Sequence, residues 1–262
     1  MIPDPAFLAT AIDAAQAGGR IARQFFRRDP VVRKKGLIDL VTEADVAVEA
    51  EVRARIGRRF PTHGFLGEES GEQTAASGHR WIVDPIDGTT NFAHGLALFC
   101  ISIALEIDGQ MAVGVVYDPM GEELFTAELG QGARLNGQRL QVSGVDTLID
   151  GLLVTGFPYT ANEDRAEQLA IFAGFLARAQ AVRRLGSAAL DLCYVAAGRF
   201  DAFWEQNLHP WDVAAGGLIV AEAGGRVTDY SGGRFDPFAR QIVASNSVLH
   251  PQLLDVLADL RK

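Results

Sequence analysis

Two aspartates, Asp84 and Asp87, stand three residues apart at the end of the apolar run Trp81-Ile82-Val83, and Gly88-Thr89-Thr90-Asn91 follows at once. Pro85 lies between them. It cannot donate to a sheet ladder, so the strand that the apolar run predicts is expected to stop there. Gly88 and the two threonines predict entry into a helix, with free amides and hydroxyls turned outward. A charge placed directly after an apolar run is costly without a partner. Two carboxylates beside a helix N-terminus can hold hard cations and an anion together, as metal-assisted phosphate chemistry requires.

Three other acidic segments fall where predicted elements begin or end. They are Asp39-Leu40-Val41-Thr42-Glu43-Ala44-Asp45, then Gly67-Glu68-Glu69-Ser70 after Phe65-Leu66, and Trp211-Asp212 at the head of a helix. Taken singly, Asp45 and Asp212 serve equally well as helix caps, and Glu68-Glu69 as a solvated loop. Taken together, they offer what two Mg²⁺ ions need, several oxygen ligands from different segments. Paired ions about 3.5–4 Å apart stabilise both oxygens of an in-line displacement. A hydroxyl such as Thr89 can orient the attacking water, and a carboxylate behind it, such as Asp45, can take the proton.

The elements that must position these groups follow from periodicity. Residues 6–27 read as a helix with Leu8, Ile12, Ala15, Ala22 and Phe26 near one face and Gly18-Gly19 as a weak point. A second helix begins near Thr42, with Val48, Val52 and Ile56 at four-residue spacing, and stops at Pro61. Strands are predicted over 98–107, 111–117 and 123–127, with hairpin chemistry at Asp108-Gly109. Residues 130–137 read as loop or turn, and 148–155 as a strand. Helices follow over 163–178, 187–198, 211–223 and 249–260, with strands near 225–229 and 241–245. Phe200, Phe203 and Trp204 are expected to pack a strand against a helix and so position Glu205. The alternation of strand-rich and helix-rich stretches predicts layered sheets and helices of the α/β (α+β) class. A soft boundary near residue 145 divides the chain into halves, 1–145 and 146–262, expected to form one compact unit.

At 262 residues, with 48% apolar and 22% charged residues, the chain can bury a large core. No run reaches the roughly 18 apolar residues of a membrane span, and the N-terminus lacks the pattern of a leader, so a cytoplasmic protein without membrane contact is expected. Cys100 and Cys193 sit among apolar residues and read as buried reduced thiols. A net charge of −9 argues against nucleic-acid binding, although Arg33-Lys34-Lys35 and Arg183-Arg184 are local basic exceptions. The five histidines make no zinc-binding pattern; His209, just before Pro210-Trp211-Asp212, can lie near the pocket, with packing or a structural hydrogen bond as the expectation. The serines form no Gly-x-Ser-x-Gly elbow, and Gly130-x-Gly132 opens no helix, which disfavours a serine hydrolase and a dinucleotide fold.

The segment from Trp81 to Phe92 resembles the first signature of the inositol monophosphatase family of Mg²⁺-dependent, lithium-sensitive phosphatases. Pro210-Trp211-Asp212-Val213-Ala214-Ala215-Gly216 with Glu222-Ala223-Gly224-Gly225 resembles the second. Gly67-Glu68-Glu69-Ser70, Asp39-Leu40-Val41-Thr42 and Gly186-Ser187-Ala188-Ala189 fit as well, so the likeness runs from about residue 5 to 260. It implies a layered αβαβα sandwich, a homodimer and two or three Mg²⁺ ions. It implies that Glu68, Asp84 and the Ile86 carbonyl bind one ion, and that Asp84, Asp87 and Asp212 bind another. Glu69 would stand behind them or near a third ion. Thr89, with Asp45 and beside Glu68, would activate the water, and the amides of Gly88 and Thr89 would hold the phosphate. Glu205 and Ala188 would contact the alcohol, Gly186 and Ser187 would line the same wall, and Lys34 would approach from the N-terminal loop. The loop 156–161 lies where the family meets its substrate.

The substrate expected is a small polyol phosphate, above all myo-inositol monophosphate. Histidinol phosphate, fructose 1,6-bisphosphate and nucleotide 3′-phosphates are the alternatives within the class. The form Asp87-Gly88-Thr89-Thr90-Asn91 fits the inositol branch better than the bisphosphate-nucleotidase branch, where lysine commonly follows the first threonine. A non-catalytic partner protein is the alternative of a different class; such a protein is expected to lose one of Asp84, Asp87, Thr89 or Asp212, and all four are present.

Overall fold

The computed structural model describes residues 3–26, 32–34, 40–74, 77–157 and 165–260. Lys35, Asp39 and residues 158–161 lie outside them, and Lys34 is described by its backbone alone. Asp4 caps helix α1 (Pro5–Phe25), its carboxylate accepting from the Ala6 N–H. After β1 (Val32–Lys34) and β2 (Leu40–Thr42), helix α2 (Glu43–Arg59) opens with a capping box made by Thr42 and Asp45. Gly18 and Gly19 are no weak point in α1. A Cβ on Gly18 would come within 2.9 Å of Val48, and one on Gly19 within 2.6 Å of the Tyr117 ring, so they let α1 lie close against its neighbours.

The larger sheet is built from β3 (Gly64–Gly67), β4 (Gly71–Gln73), β5 (His79–Asp87), β6 (Cys100–Ile107), β7 (Gln110–Asp118), β8 (Glu123–Glu128), β9 (Gly132–Leu135) and β10 (Gln138–Arg139). Its order is β10-β9-β8-β7-β6-β5-β3-β4, and only β3 and β5 run parallel. The predicted loop at 130–137 is instead a hairpin strand, turned at Asn136-Gly137, both with positive φ. Short helix α3 (Thr89–Ala93) follows β5. The second half supplies β11 (Leu152–Thr155), α4 (Arg165–Leu176), β12 (Ala181–Arg183), α5 (Ala188–Ala196), β13 (Ala202–Gln206), α6 (Pro210–Glu222), β14 (Arg226–Thr228), β15 (Gln241–Ser245) and α7 (His250–Leu260). The smaller sheet has the order β12-β11-β13-β15-β14.

Side-chain alternation assigns the layers. Trp81, Val83, Ile101, Ile103 and Leu105 face α1 and α2, whereas Ile82, Cys100 and Ala104 face α5 and α6. Phe203 on β13 joins that middle core, while its neighbour Trp204 turns to α4 and α7, with its ring 4.1 Å from that of Phe175. The result is an αβαβα sandwich: α1 and α2, the larger sheet, α5 and α6, the smaller sheet, then α4 and α7. Cys100 and Cys193 are buried free thiols within it. Among the described residues no helix is long and apolar enough to cross a membrane.

Pro85 does not end β5. The ladder pairs Asp84 with Ser102 and then Asp87 with Cys100, so β5 spends three residues where β6 spends two. Proline is tolerated at such a bulge because the extra residue has no ladder bond to make. The bulge has a second effect. Residues three apart on a regular strand point to opposite faces, and one extra residue returns Asp87 to the side of Asp84.

Candidate active site

The end of β5 meets the N-termini of α3, α5 and α6 at a cavity of about 320 Å³. One carboxylate oxygen from each of Asp84, Asp87 and Asp212 lies within 4.8 Å of the other two. Each is held by its own local device. Asp84 Oδ1 accepts from the Ile86 N–H at 3.0 Å, inside the bulge. Asp87 Oδ2 accepts from the Ser187 hydroxyl and the Ala189 N–H, both at 2.7 Å, so it sits on the positive end of α5. Asp212 Oδ2 accepts from the His209 N–H at 2.7 Å in the first turn of α6. Glu68 lines the same cavity from the end of β3.

Burial raises all three aspartates above the usual carboxylate range. For Asp84 and Asp212 the shift is large, and neighbouring negative charges add to it: Glu68, Asp87 and Asp212 for Asp84, and Asp87 first for Asp212. For Asp87 the donors Ser187 and Ala189 work against burial. Oxygen donors of one sign converging in this way, with no imidazole or thiolate in the cluster, form a donor set suited to a hard divalent cation.

Thr89 stands beside this cluster. Its hydroxyl lies 3.0 Å from the Ile86 carbonyl and 3.3 Å from Asp45 Oδ1. Asp45 is fully buried behind it, and its other oxygen accepts from the Thr42 N–H and hydroxyl at 2.8 and 2.6 Å. One carboxylate thus caps α2 and also faces Thr89, so the two readings of Asp45 coexist. Gly88 precedes α3 with φ +102°, and a Cβ there would come within 2.9 Å of the Leu98 carbonyl; both facts call for glycine.

Gly186, Ser187, Ala188 and Glu205 also line the cavity. Glu205 is buried, and burial pushes its pKa up to about 8. Gly156 passes so closely that a Cβ would come within 2.2 Å of Glu205 Oε2. Glu69 stands apart. Its N–H donates to Glu49 at 2.8 Å, and it lines a separate shallow depression with Val46 and Arg53.

The order and spacing of these residues match the model of the inositol monophosphatase family over residues 5–262. The chain belongs to the inositol monophosphatase family. It is accordingly a phosphoric monoester hydrolase. Among similar family proteins are the inositol-1-monophosphatase of Mesorhizobium japonicum, 45% identical over 95% of each chain, and the Nus factor SuhB of Pseudomonas aeruginosa, 43% identical over 95% of each. A solved SuhB from Bartonella henselae superposes with a TM-score of 0.93 at 42% identity, over 96% of this chain and 98% of that one. The inositol monophosphatase of Anabaena gives 0.87 at 41% identity, over 97% and 96%.

Several cavity residues of this family member escape a reading of the sequence. Asp191, Arg184, Asn207, Trp211 and Arg240 all line the cavity. His209 lines it too, and its ring stacks on Trp211 at 4.7 Å, in line with a packing role. Asn91, visible in the signature but given no role there, donates from Nδ2 to the carbonyls of Leu98 and Leu185 at 2.8 Å each, pinning the 185–188 turn to α3. Asp191 had one signal: it lies three and four residues beyond Ala188 and Ser187, on the same helical face.

Proposed function

We propose that this phosphatase hydrolyses a small polyol phosphate, above all myo-inositol monophosphate, with two or three Mg²⁺ ions. The observation that carries the proposal is the convergence of Asp84, Asp87 and Asp212 beside Thr89 in one cavity. Glu68, Asp84 and the Ile86 carbonyl would hold one ion, and Asp84, Asp87 and Asp212 would hold another. When bound, the ions supply neutralisation of the phosphate charge and of the developing charge on the leaving oxygen, and they make water more acidic. Glu69 would stand behind these ligands or near a third ion.

Thr89 orients the attacking water at its Oγ1. It takes the proton there while passing its own to Asp45 Oδ1, 3.3 Å away, and Glu68 orients the water from the other side. The amides of Gly88 and Thr89 bind phosphate oxygens. Asp87 is fixed by Ser187 and Ala189, so the same turn that lines the alcohol wall also orients a metal ligand. Ala188 and Glu205 meet hydroxyls of the alcohol. The halves 1–145 and 146–262 act as one catalytic unit, since Asp212 comes from the second and Asp84 and Asp87 from the first. The protein works in the cytoplasm as a homodimer and is inhibited by lithium, as the family resemblance implies.

Relatives of comparable identity carry the names inositol-1-monophosphatase and SuhB, so the substrate is settled by assay. Phosphate release is measured from inositol 1-phosphate, histidinol phosphate, fructose 1,6-bisphosphate and a nucleotide 3′-phosphate, with Mg²⁺ and with chelator. The highest kcat/KM belongs to inositol 1-phosphate, only with Mg²⁺, and millimolar-range Li⁺ lowers it. A clear preference for another ester, or release in chelator, contradicts the proposal.

A further inference from the structure

The first turn of α5 serves two masters. Ala189 gives its N–H to Asp87, and Ser187 gives its hydroxyl. Asp191, one turn on, shares the face of Ser187 and Ala188 and lines the cavity with them. It is 1% exposed, and its Oδ1 has no hydrogen-bond partner. A buried carboxyl oxygen left unpaired is expensive, and native proteins keep such groups where something else completes them. No metal-site role falls to Asp191, because the converging metal-type cluster is Asp84, Asp87 and Asp212.

Glu205 stands on the same wall, 7% exposed, its carboxyl pressed against Gly156. The Arg184 guanidinium is near enough to both carboxyls to favour their charged forms, yet burial holds both above the ordinary range, helped by Glu205 and Asp87 at Asp191 and by Asp87 at Glu205. A wall of two buried carboxyls offers acceptors to a donor-rich, uncharged group. Inside this cavity, that is the hydroxylated part of the leaving alcohol.

We propose that Asp191 is a specificity-determining residue: with Glu205 it forms a two-carboxyl wall that takes hydroxyl hydrogens of the polyol on carbons beyond the phosphoester oxygen, an inference that rests on the polyol-phosphate reading above. Ser187 and Ala188 face the same space, so the turn that orients Asp87 also sets the distance between phosphate and this wall. The ligand class is a cyclitol or sugar phosphate with free hydroxyls, as opposed to a simple aryl ester.

Wild type, Asp191→Asn and Asp191→Leu are compared on inositol 1-phosphate and on p-nitrophenyl phosphate, which lacks those hydroxyls, with Mg²⁺ and with Tm recorded. In Asp191→Leu the ratio of the two kcat/KM values falls about tenfold, mainly through a higher KM for the inositol ester, and Asp191→Asn falls less. Tm of Asp191→Leu equals or exceeds that of wild type, because an unpaired buried carboxyl has gone. An unchanged ratio in both variants overturns the inference, and so does an equal loss on both esters with a lower Tm, which marks a structural role. A wild type that shows no preference between the esters sinks instead the polyol reading on which the inference rests.

Discussion

Asp87→Asn keeps the shape of the side chain and removes one charge from the cluster, and its effects have opposite signs with and without metal. Carboxylate oxygens of Asp84, Asp87 and Asp212 lie within 4.8 Å of one another, where two full charges repel by roughly 3–4 kcal/mol at an effective dielectric near 20. The substitution removes two of the three repelling pairs. Protonation already relieves part of this repulsion, as the raised pKa values of Asp84 and Asp212 require. The lost charge at the N-terminus of α5 opposes the gain by about 0.3–1 kcal/mol. The Ser187 and Ala189 donors keep an acceptor in the amide oxygen. The net gain in chelator is roughly 1–3 kcal/mol, a Tm about 3–8 °C higher in a chain of this size. With Mg²⁺ the order reverses. Wild type gains about 2.7 kcal/mol at a hundredfold excess over Kd, and the variant loses most of that gain. Activity falls at least about 10²-fold. Differential scanning fluorimetry across a Mg²⁺ titration reads both effects. A variant with lower Tm in chelator and the Mg²⁺ shift of wild type would refute the like-charge cluster.

Three further outcomes are expected. Thr89→Ala lowers kcat at least about 10²-fold while the Mg²⁺-induced rise in Tm persists, and Thr89→Ser restores kcat to within about tenfold; equal activity of the two variants contradicts the role of the hydroxyl. Glu205 has an ordinary pKa of 4.5 and a folded value of about 8, so the native chain binds the extra proton between these pH values. Its burden on stability is therefore absent below pH 4.5 and grows as pH rises through 8, to at most roughly 4–5 kcal/mol. Glu205→Gln flattens that part of the metal-free pH–stability curve, measured by urea unfolding at pH 5 and 8.5, and an unchanged slope contradicts the assignment. Asn91→Leu leaves the Leu98 and Leu185 carbonyls unpaired, at about 1–3 kcal/mol each, so urea unfolding shows a lower stability and kcat/KM falls with it.

The layered fold was legible because its main elements carry clean periods. The 211–223 helix and the 241–245 strand emerge within a residue of their observed bounds, Pro210–Glu222 and Gln241–Ser245. Short elements were not legible. Gly132–Leu135 hides among glycines and is stabilised by its partner strands β8 and β10. Pro85 was misjudged for a related reason. Its missing donor does forbid a regular ladder, but the sequence could not reveal that β6 would tolerate a bulge, which brings Asp84 and Asp87 to one side. Asp84 and Asp87 stand out in the sequence as charge at the end of an apolar run, whereas Asp212 alone reads equally well as a helix cap. Asp191 does not stand out, because an acidic residue in a first helical turn looks like dipole compensation until its burial and missing partner are seen.

Three carboxylates from β5 and α6, with Glu68 beside them, form the centre on which the proposed hydrolysis depends. Anomalous diffraction from crystals soaked in Mn²⁺, a stand-in for Mg²⁺, tests it most directly. The expected map has two peaks sharing Asp84, one also bounded by Asp87 and Asp212 and the other by Glu68 and the Ile86 carbonyl. A map at saturating Mn²⁺ with no peak among these residues contradicts the account.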